Sequence, residues 1–335
     1  MKPLRTAILG CGGFANQHAK NIVTMPDQLE LVAFCDINRE HAENYAKKYN
    51  IDAKIYLDFH PMFDEVKPDL VVICLPPYGH TDEVEAAAIR GIHVLIEKPI
   101  ALTTDHAWKM VDAAESSKIK TQVGFMYRFG VAVTELKNLI TSGKAGSVGL
   151  MSARYFCNSL HADWWRMHDK SGGQLVEQVI HMVDLMRYLM GEPNTVYSIQ
   201  NNLFHQEIPD YTIEDISVTV IGFKKGGIGV IYATNGAIPG KWINDYRVVA
   251  KNLTAEFIDA NHCTLTYTGG SFLQNVSISS DQDYYRLELL DLVQAIETDG
   301  NTRTPIREGA LSLSLALAAT LSAESGEAIN LLPRE

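Results

Sequence analysis

Thr6-Ala7-Ile8-Leu9 is a short apolar run that ends directly on Gly10-Cys11-Gly12-Gly13-Phe14-Ala15, and a helical pattern follows to about Met25. Glycine clusters after strands are common; this Gly-x-Gly-x-x-Ala turn gains its weight from following the first strand and opening a helix. The first glycine permits the tight turn, the second lets a ligand approach the backbone, and the small third residue lets helix and strand pack closely. The helix N-terminus then offers unpaired N–H groups and the positive end of a dipole to a phosphate. A second apolar run, Leu29 to Cys35, closes at Asp36, and residues 39–50 read as a helix. Leu70 to Leu75 is a continuous apolar strand stopped by Pro76-Pro77; residues 81–90 read as a helix, and His93-Val94-Leu95-Ile96 as a further strand. Strands that are apolar throughout belong to a parallel sheet covered on both faces. Their alternation with helices implies βαβ units with right-handed crossovers.

Beyond about residue 120 the pattern changes. Strand-like runs at 148–157, 195–203, 215–223, 227–235, 246–250, 254–259 and 263–268 succeed one another without a helix between each pair. Gly226-Gly227 and Gly269-Gly270 fall where hairpin turns belong. One helix, about 172–190, interrupts this series, and two more, about 283–298 and 308–325, close the chain. The fold class is α/β: a doubly wound parallel sheet followed by an α+β domain with a mainly antiparallel sheet. The boundary falls between a nucleotide-binding domain at 1–122 and a second domain at 123–335, with the C-terminal helix packing back on the first domain.

Composition removes several function classes. The 335 residues carry 29 Lys+Arg against 40 Asp+Glu, a net charge of -11. That balance argues against nucleic acid and against anionic membrane surfaces as partners. The five cysteines are odd in number and form no Cys-x-x-Cys, so neither a disulfide framework nor a zinc ribbon fits. Reduced thiols in the cytoplasm are the simplest reading. The N-terminus lacks the apolar core of a secretory signal, and no run of about 18 apolar residues is present to span a membrane.

Asp36 lies 26 positions after Gly10, at the end of the second strand. Its carboxylate suits the diol of an adenosine ribose and repels a 2′-phosphate, which favours NAD over NADP. Asn38 and Arg39 follow, and an arginine here is able to meet a phosphate instead. Glu97-Lys98-Pro99 ends a buried strand at its carboxyl end, the edge where open α/β sheets bind ligands. Lys98 can donate a hydrogen bond to a substrate hydroxyl or carbonyl and shuttle its proton, or can be a solvated charge. Leu75, Pro76 and His80 sit at the same end of the preceding strand, as cofactor contacts or as a plain loop and cap. Glu177, His181, Asp184 and Tyr188 fall at i, i+4, i+7 and i+11, one stripe of a helix. Glu177 beside His181 suits a general base that takes a hydroxyl proton; the same stripe also fits the wet side of an amphipathic helix. Trp164-Trp165 reads as core packing or a sugar-stacking wall. His161, Asp163 and His168 lie close in sequence, but no His-x-x-x-His or Cys-x-x-Cys accompanies them, so no metal is expected. A Gly-x-Ser-x-Gly nucleophile turn is absent.

With Gly10-Cys11-Gly12-Gly13, Asp36, Pro76-Pro77 with His80, Gly91 to Pro99, Val123 to Phe129, and Gly172-Gly173 leading to Glu177-x-x-x-His181-x-x-Asp184, the chain resembles the glucose–fructose oxidoreductase/inositol dehydrogenase (Gfo/Idh/MocA) family over essentially its full length. The resemblance implies an N-terminal Rossmann domain and a C-terminal substrate-binding domain whose largely antiparallel, open-faced sheet forms the interface of a homodimer or homotetramer. It implies hydride transfer between NAD(P) and a hydroxyl or carbonyl of a sugar, polyol or sugar derivative. Gly10, Gly12, Gly13, Phe14, Ala15, Asp36, Asn38, Arg39, Leu75, Pro76, His80, Glu97 and Lys98 would hold the cofactor, NAD in preference to NADP. Lys98 would be the catalytic lysine and His181 the catalytic histidine, while Glu177 stands where the family usually has aspartate. Tyr127, Trp164 and Arg166 would join Lys98, Glu177 and His181 against the substrate. A non-catalytic sensor and an NAD-using glycoside hydrolase are alternatives on the same fold.

Overall fold

The computed structural model describes residues 2–331 and divides the chain into two compact units. The first takes the residues up to Phe125 together with Tyr285–Ala310; the second takes Met126–Tyr284 and the residues from Leu311 onward.

The first unit holds a parallel sheet of β1 (Leu4–Leu9), β2 (Leu29–Cys35), β3 (Lys54–Tyr56), β4 (Leu70–Ile73), β5 (His93–Ile96) and β6 (Thr121–Val123), in the order β3-β2-β1-β4-β5-β6. All four residues of β4 are fully buried, as a strand covered on both faces requires. The chain runs outward from β1 to β3 and then returns to β4, so the order reverses between β1 and β4. Ligands bind at the carboxyl ends of the strands at such a switch. β3 and β6 are three residues each and part polar, so they give little apolar signal in the sequence. β6 is not left bare, because Val123 N–H donates to the Thr304 carbonyl at 2.8 Å and the Thr304 hydroxyl donates to the Val123 carbonyl at 2.9 Å. The helix Tyr284–Thr298 places Leu289, Leu292 and Val293 in this unit's core beside Ile8, Phe34 and Leu95.

The second unit is built on β7 (Val148–Phe156), β8 (Pro193–Asn201), β9 (Ile216–Phe223), β10 (Ile228–Thr234), β11 (Tyr246–Ala250), β12 (Leu253–Asp259), β13 (His262–Tyr267), β14 (Gln274–Ile278) and β15 (Ile329–Asn330). Among the described residues they form one sheet in the order β14-β13-β12-β11-β7-β10-β9-β8-β15. All neighbours pair antiparallel except β7 and β10, which run parallel with Leu150 opposite Ile228. Gly226, at φ +84°, turns the β9–β10 hairpin, and Phe223 N–H donates to the Gly227 carbonyl at 2.9 Å. Helices Val131–Thr141 and Ile180–Met190 pack on one face with Met151, Ile221, Ile231 and Val248.

The helix expected over 172–190 is not one regular element. Gly172 and Gly173 take left-handed φ values of +77° and +98°, a π-helical turn covers Leu175–Val179, and the α-helix proper is Ile180–Met190. π-Turns inside helices occur disproportionately at functional sites. Nor is its polar stripe a wet side: His181 is 6% exposed and Asp184 1%. Asp184 is paired with Arg128, and Arg187 donates to the Ser312 hydroxyl at 2.9 Å.

Candidate active site

In the first unit the glycine loop has the shape a nucleotide requires. Gly10 sits at φ +87°, and a Cβ there would lie 2.5 Å from the Cys74 carbonyl oxygen. Gly12 and Gly13 would meet nothing within 4 Å, and with Phe14 they are exposed, so their outer side is open. The helix Ala15–Val23 has no side-chain cap and no acid in its first turn, so an anion there meets the positive end of its dipole. Asp36 braces the loop: one carboxylate oxygen accepts from Cys11 N–H at 2.7 Å, and the other from Asn38 N–H at 2.8 Å. Asn38 caps the next helix by accepting from Glu40 N–H at 3.0 Å. Arg39 projects outward, 3.7 Å from Glu43. Leu75 and Pro76 follow β4, with a Leu75 methyl 3.1 Å from the Gly10 Cβ position. His80 is buried with Nδ1 2.5 Å from Glu83, and its Nε2 has no hydrogen-bond partner among the described residues. An orphaned buried nitrogen, an open glycine turn and a ribose-type carboxylate together fit a dinucleotide. Lys98 is half-buried at the end of β5 and joined to Pro99 by a cis peptide bond, while Glu97 is buried on His18.

In the second unit the sequence candidates converge on the π-turn and the helix that follows. Glu177 accepts from the Trp165 indole N–H at 2.8 Å, which also settles Trp165 as a buried packing residue, 2% exposed. The Tyr127 ring lies 5.3 Å from the His181 ring, and the Tyr127 hydroxyl accepts from Asn244 at 3.1 Å. Burial pushes the Tyr127 hydroxyl well above its ordinary range. Glu177 and His181 lie on successive turns of one segment, with the Tyr127 ring from a separate segment against the imidazole; side chains of these types can hold and pass a proton. Trp164 packs at the edge of the Trp165, Tyr211 and Ile213 cluster. Arg166 ties down its own loop, donating to the Leu160 carbonyl at 3.0 Å and pairing with Asp163 at 2.9 Å. Among the described residues no group of three or more metal-ligating side chains comes together, and no helix is long and apolar enough to cross a membrane. The five cysteines are unpaired, and burial raises the thiols of Cys11, Cys35 and Cys157 out of the nucleophilic range.

One acid at this site, Glu214, gives no signal in the sequence because its partners are distant along the chain. Glu214 accepts from Leu175 N–H at 2.6 Å, and a Cβ on Gly173 would lie 2.5 Å from its other oxygen. Gly173 is therefore needed both for its backbone angle and for the space. Burial pushes the Glu214 carboxyl from 4.5 up to about 7; Asp215 adds to this, and backbone donors from Leu175 and Gln174 oppose it. A raised folded pKa stabilises the fold fully below about 4.5, and that contribution is lost as pH climbs through about 7. The loss is about 3 kcal/mol. Melting temperature should fall between pH 5 and pH 8 in the native chain, and Glu214→Gln should flatten that slope. Equal slopes in both proteins would remove Glu214 as the cause. Asp184, which the helical stripe already marks, forms a buried ion pair with Arg128.

The comparisons agree with this geometry. Residues 4–125 match the oxidoreductase family with an NAD-binding Rossmann fold, and residues 133–274 match the Gfo/Idh/MocA C-terminal domain. D-glucoside 3-dehydrogenase of Escherichia coli is 32% identical over 243 residues, 68% of this chain and 68% of that protein. scyllo-Inositol 2-dehydrogenase (NAD(+)) of Bacillus subtilis is 27% identical over 336 residues, 98% of this chain and 96% of that one. A levoglucosan dehydrogenase solved with NADH and levoglucosan shares the fold at a TM-score of 0.90 and 19% identity, covering 98% of this chain and 99% of that one. The chain belongs to the Gfo/Idh/MocA family of NAD-binding oxidoreductases.

Proposed function

We propose that this protein is a dehydrogenase that uses NAD to oxidise one secondary hydroxyl of a sugar, polyol or sugar derivative, or runs that reaction in reverse. The observation that carries this reading is Lys98, half-buried at the carboxyl end of β5, in the same unit as a glycine loop open to a nucleotide. NAD, when bound, supplies the hydride acceptor. Lys98 donates to the substrate oxygen and polarises it. His181 takes the hydroxyl proton, and Glu177, fixed by Trp165, supports the charged imidazole. Gly10, Gly12 and Gly13 admit the pyrophosphate, and Asp36 receives the ribose diol and disfavours a 2′-phosphate. The relatives' substrates, a glucoside and an inositol, support a cyclic polyhydroxy compound. The requirement for NAD and the five thiols support a cytoplasmic setting. The test is the absorbance of reduced nicotinamide with NAD and then NADP against glucosides, inositols, free sugars and sugar acids. Turnover with one class under NAD is expected. Silence across the panel, with NADH binding intact, would overturn the dehydrogenase reading.

The sheet supports self-association. On the face of β8, β9 and β10 opposite the helices, Ile199, Val218 and Tyr232 form one cross-strand row and Tyr197, Val220 and Val230 the next. Ile199 is 61% exposed and Val218 47%. Apolar rows this exposed are unusual on a monomer and mark interaction surfaces. A homodimer or homotetramer through this sheet would cover them. Light scattering should give a multiple of the chain mass for the native protein and a monomer for Val218→Lys. A monomeric native protein would refute the arrangement.

A further inference from the structure

We propose that His18 is a positioning residue for Lys98, acting through the carboxylate of Glu97; the role given to Lys98 is the one argued above. His18 lies on the helix that opens from the glycine loop and is fully buried. Its Nε2 is 2.7 Å from Glu97 Oε1, while its Nδ1 is buried with no hydrogen-bond partner among the described residues. An ionised carboxylate only accepts, so Nε2 is the donor in this contact.

The other carboxylate oxygen of Glu97 accepts from the Lys98 backbone N–H at 3.3 Å. The acid thus closes on the amide of the residue it precedes, while Glu97 N–H stays bonded to the Ile73 carbonyl at 2.9 Å. Gly124 completes the clamp. A Cβ there would lie 2.5 Å from Glu97 Oε2 and 2.7 Å from Oε1, and it would meet the carboxylate before anything else. Gly124 is not at a positive φ, so its lack of a side chain serves space rather than backbone angle. A carboxylate that is only 6% exposed is costly to bury unless it is paired. A leucine would fill the same volume without that cost. The arrangement is explained if the orientation of Lys98 depends on it, and it ties the start of Lys98 to the helix beneath the phosphate loop.

The test compares His18→Phe, which keeps the volume and removes the donor, His18→Gln, whose amide reaches the Nε2 position, and Gly124→Ala, which displaces the carboxylate. Reductive ¹³C-methylation of the full-length protein gives each lysine an NMR signal, with Lys98 assigned by its loss in Lys98→Arg. The Lys98 signal should move in His18→Phe and in Gly124→Ala and return to its native position in His18→Gln. This readout needs no substrate. In turnover, His18→Phe and Gly124→Ala should lose about 10- to 100-fold in kcat, as small misplacements do. KM and NADH affinity should stay within about threefold, because groups that touch substrate and nucleotide are intact. An unmoved Lys98 signal in both variants, or a His18→Gln as altered as His18→Phe, overturns the proposal. If His18→Phe fails to fold, Gly124→Ala alone decides. If the signal moves as expected but Lys98→Met turns over normally, the catalytic role of Lys98 fails and the clamp stands.

Discussion

Lys98→Met should lower kcat by about 10³-fold or more and leave NADH affinity within about twofold. Methionine keeps the apolar stem of a half-buried side chain and deletes only the ammonium. Stability should therefore change little. Hydride departure requires that electron density on the substrate oxygen be managed as its proton leaves, and an ammonium at the strand end does this by donating a hydrogen bond. Loss of one such preorganised donor costs about 10²- to 10³-fold, and a share in proton transfer adds to it. Lys98→Arg should not restore the rate, because a planar fork neither occupies the point position of an ammonium nor gives up its proton. The checks are initial rates of reduced-nicotinamide formation and a fluorescence titration with NADH. A kcat within threefold of native would remove Lys98 from the chemistry. Weakened NADH binding with an unchanged kcat would make it a cofactor contact only.

The features legible in the sequence are those encoded by neighbours along the chain. The glycine turn, the acid that closes the second strand, and the Glu-Lys-Pro segment are each contiguous, and their geometry follows from strand ends and from glycine's freedom. The apolar β4 and the alternating β9 reveal their sheets by period alone. What escaped is nonlocal. The parallel pairing of β7 with β10 joins segments separated by four helical pieces and two strands, and nothing in either run specifies a parallel partner. The short strands β3, β6, β14 and β15 are held by their neighbours rather than by their own composition. The stripe from Glu177 to Tyr188 has a helical period, but period alone cannot tell a wet side from a buried polar seam. That distinction depends on partners such as Trp165, which lies 12 residues before Glu177 across a turn. Glu214 and His18 are single residues in unremarkable contexts, and only the three-dimensional approach of Gly173 and Glu97 gives them a role.

Asp184→Ala should destabilise the protein by about 3–5 kcal/mol, the largest stability loss expected from one side chain here. Asp184 receives Arg128 in a two-pronged pair, Nε at 2.8 Å and Nη2 at 2.6 Å, with the Ser312 hydroxyl on the same carboxylate at 3.0 Å. The two side chains are 3% and 1% exposed. Deleting the acid leaves a guanidinium that cannot shed its proton in a place water does not reach. The Tyr188 ring, 4.6 Å from the Arg128 guanidinium carbon, remains as a partner, but a ring face returns at most about 2 kcal/mol. Thermal unfolding should drop by about 10 °C, at about 2–4 °C per kcal/mol for a unit of this size. The double variant Asp184→Ala with Arg128→Met should recover much of the loss, because it removes the stranded charge instead of adding a second defect. If the single variant melts within 2 °C of native, on the scale of a surface change, the pair is not a stability element. If the double variant loses the sum of both singles, the damage comes from packing and not from charge. Activity should follow stability here: Asp184 sits three residues beyond His181 on the same buried helix, and its ion pair fixes the segment from which the imidazole projects.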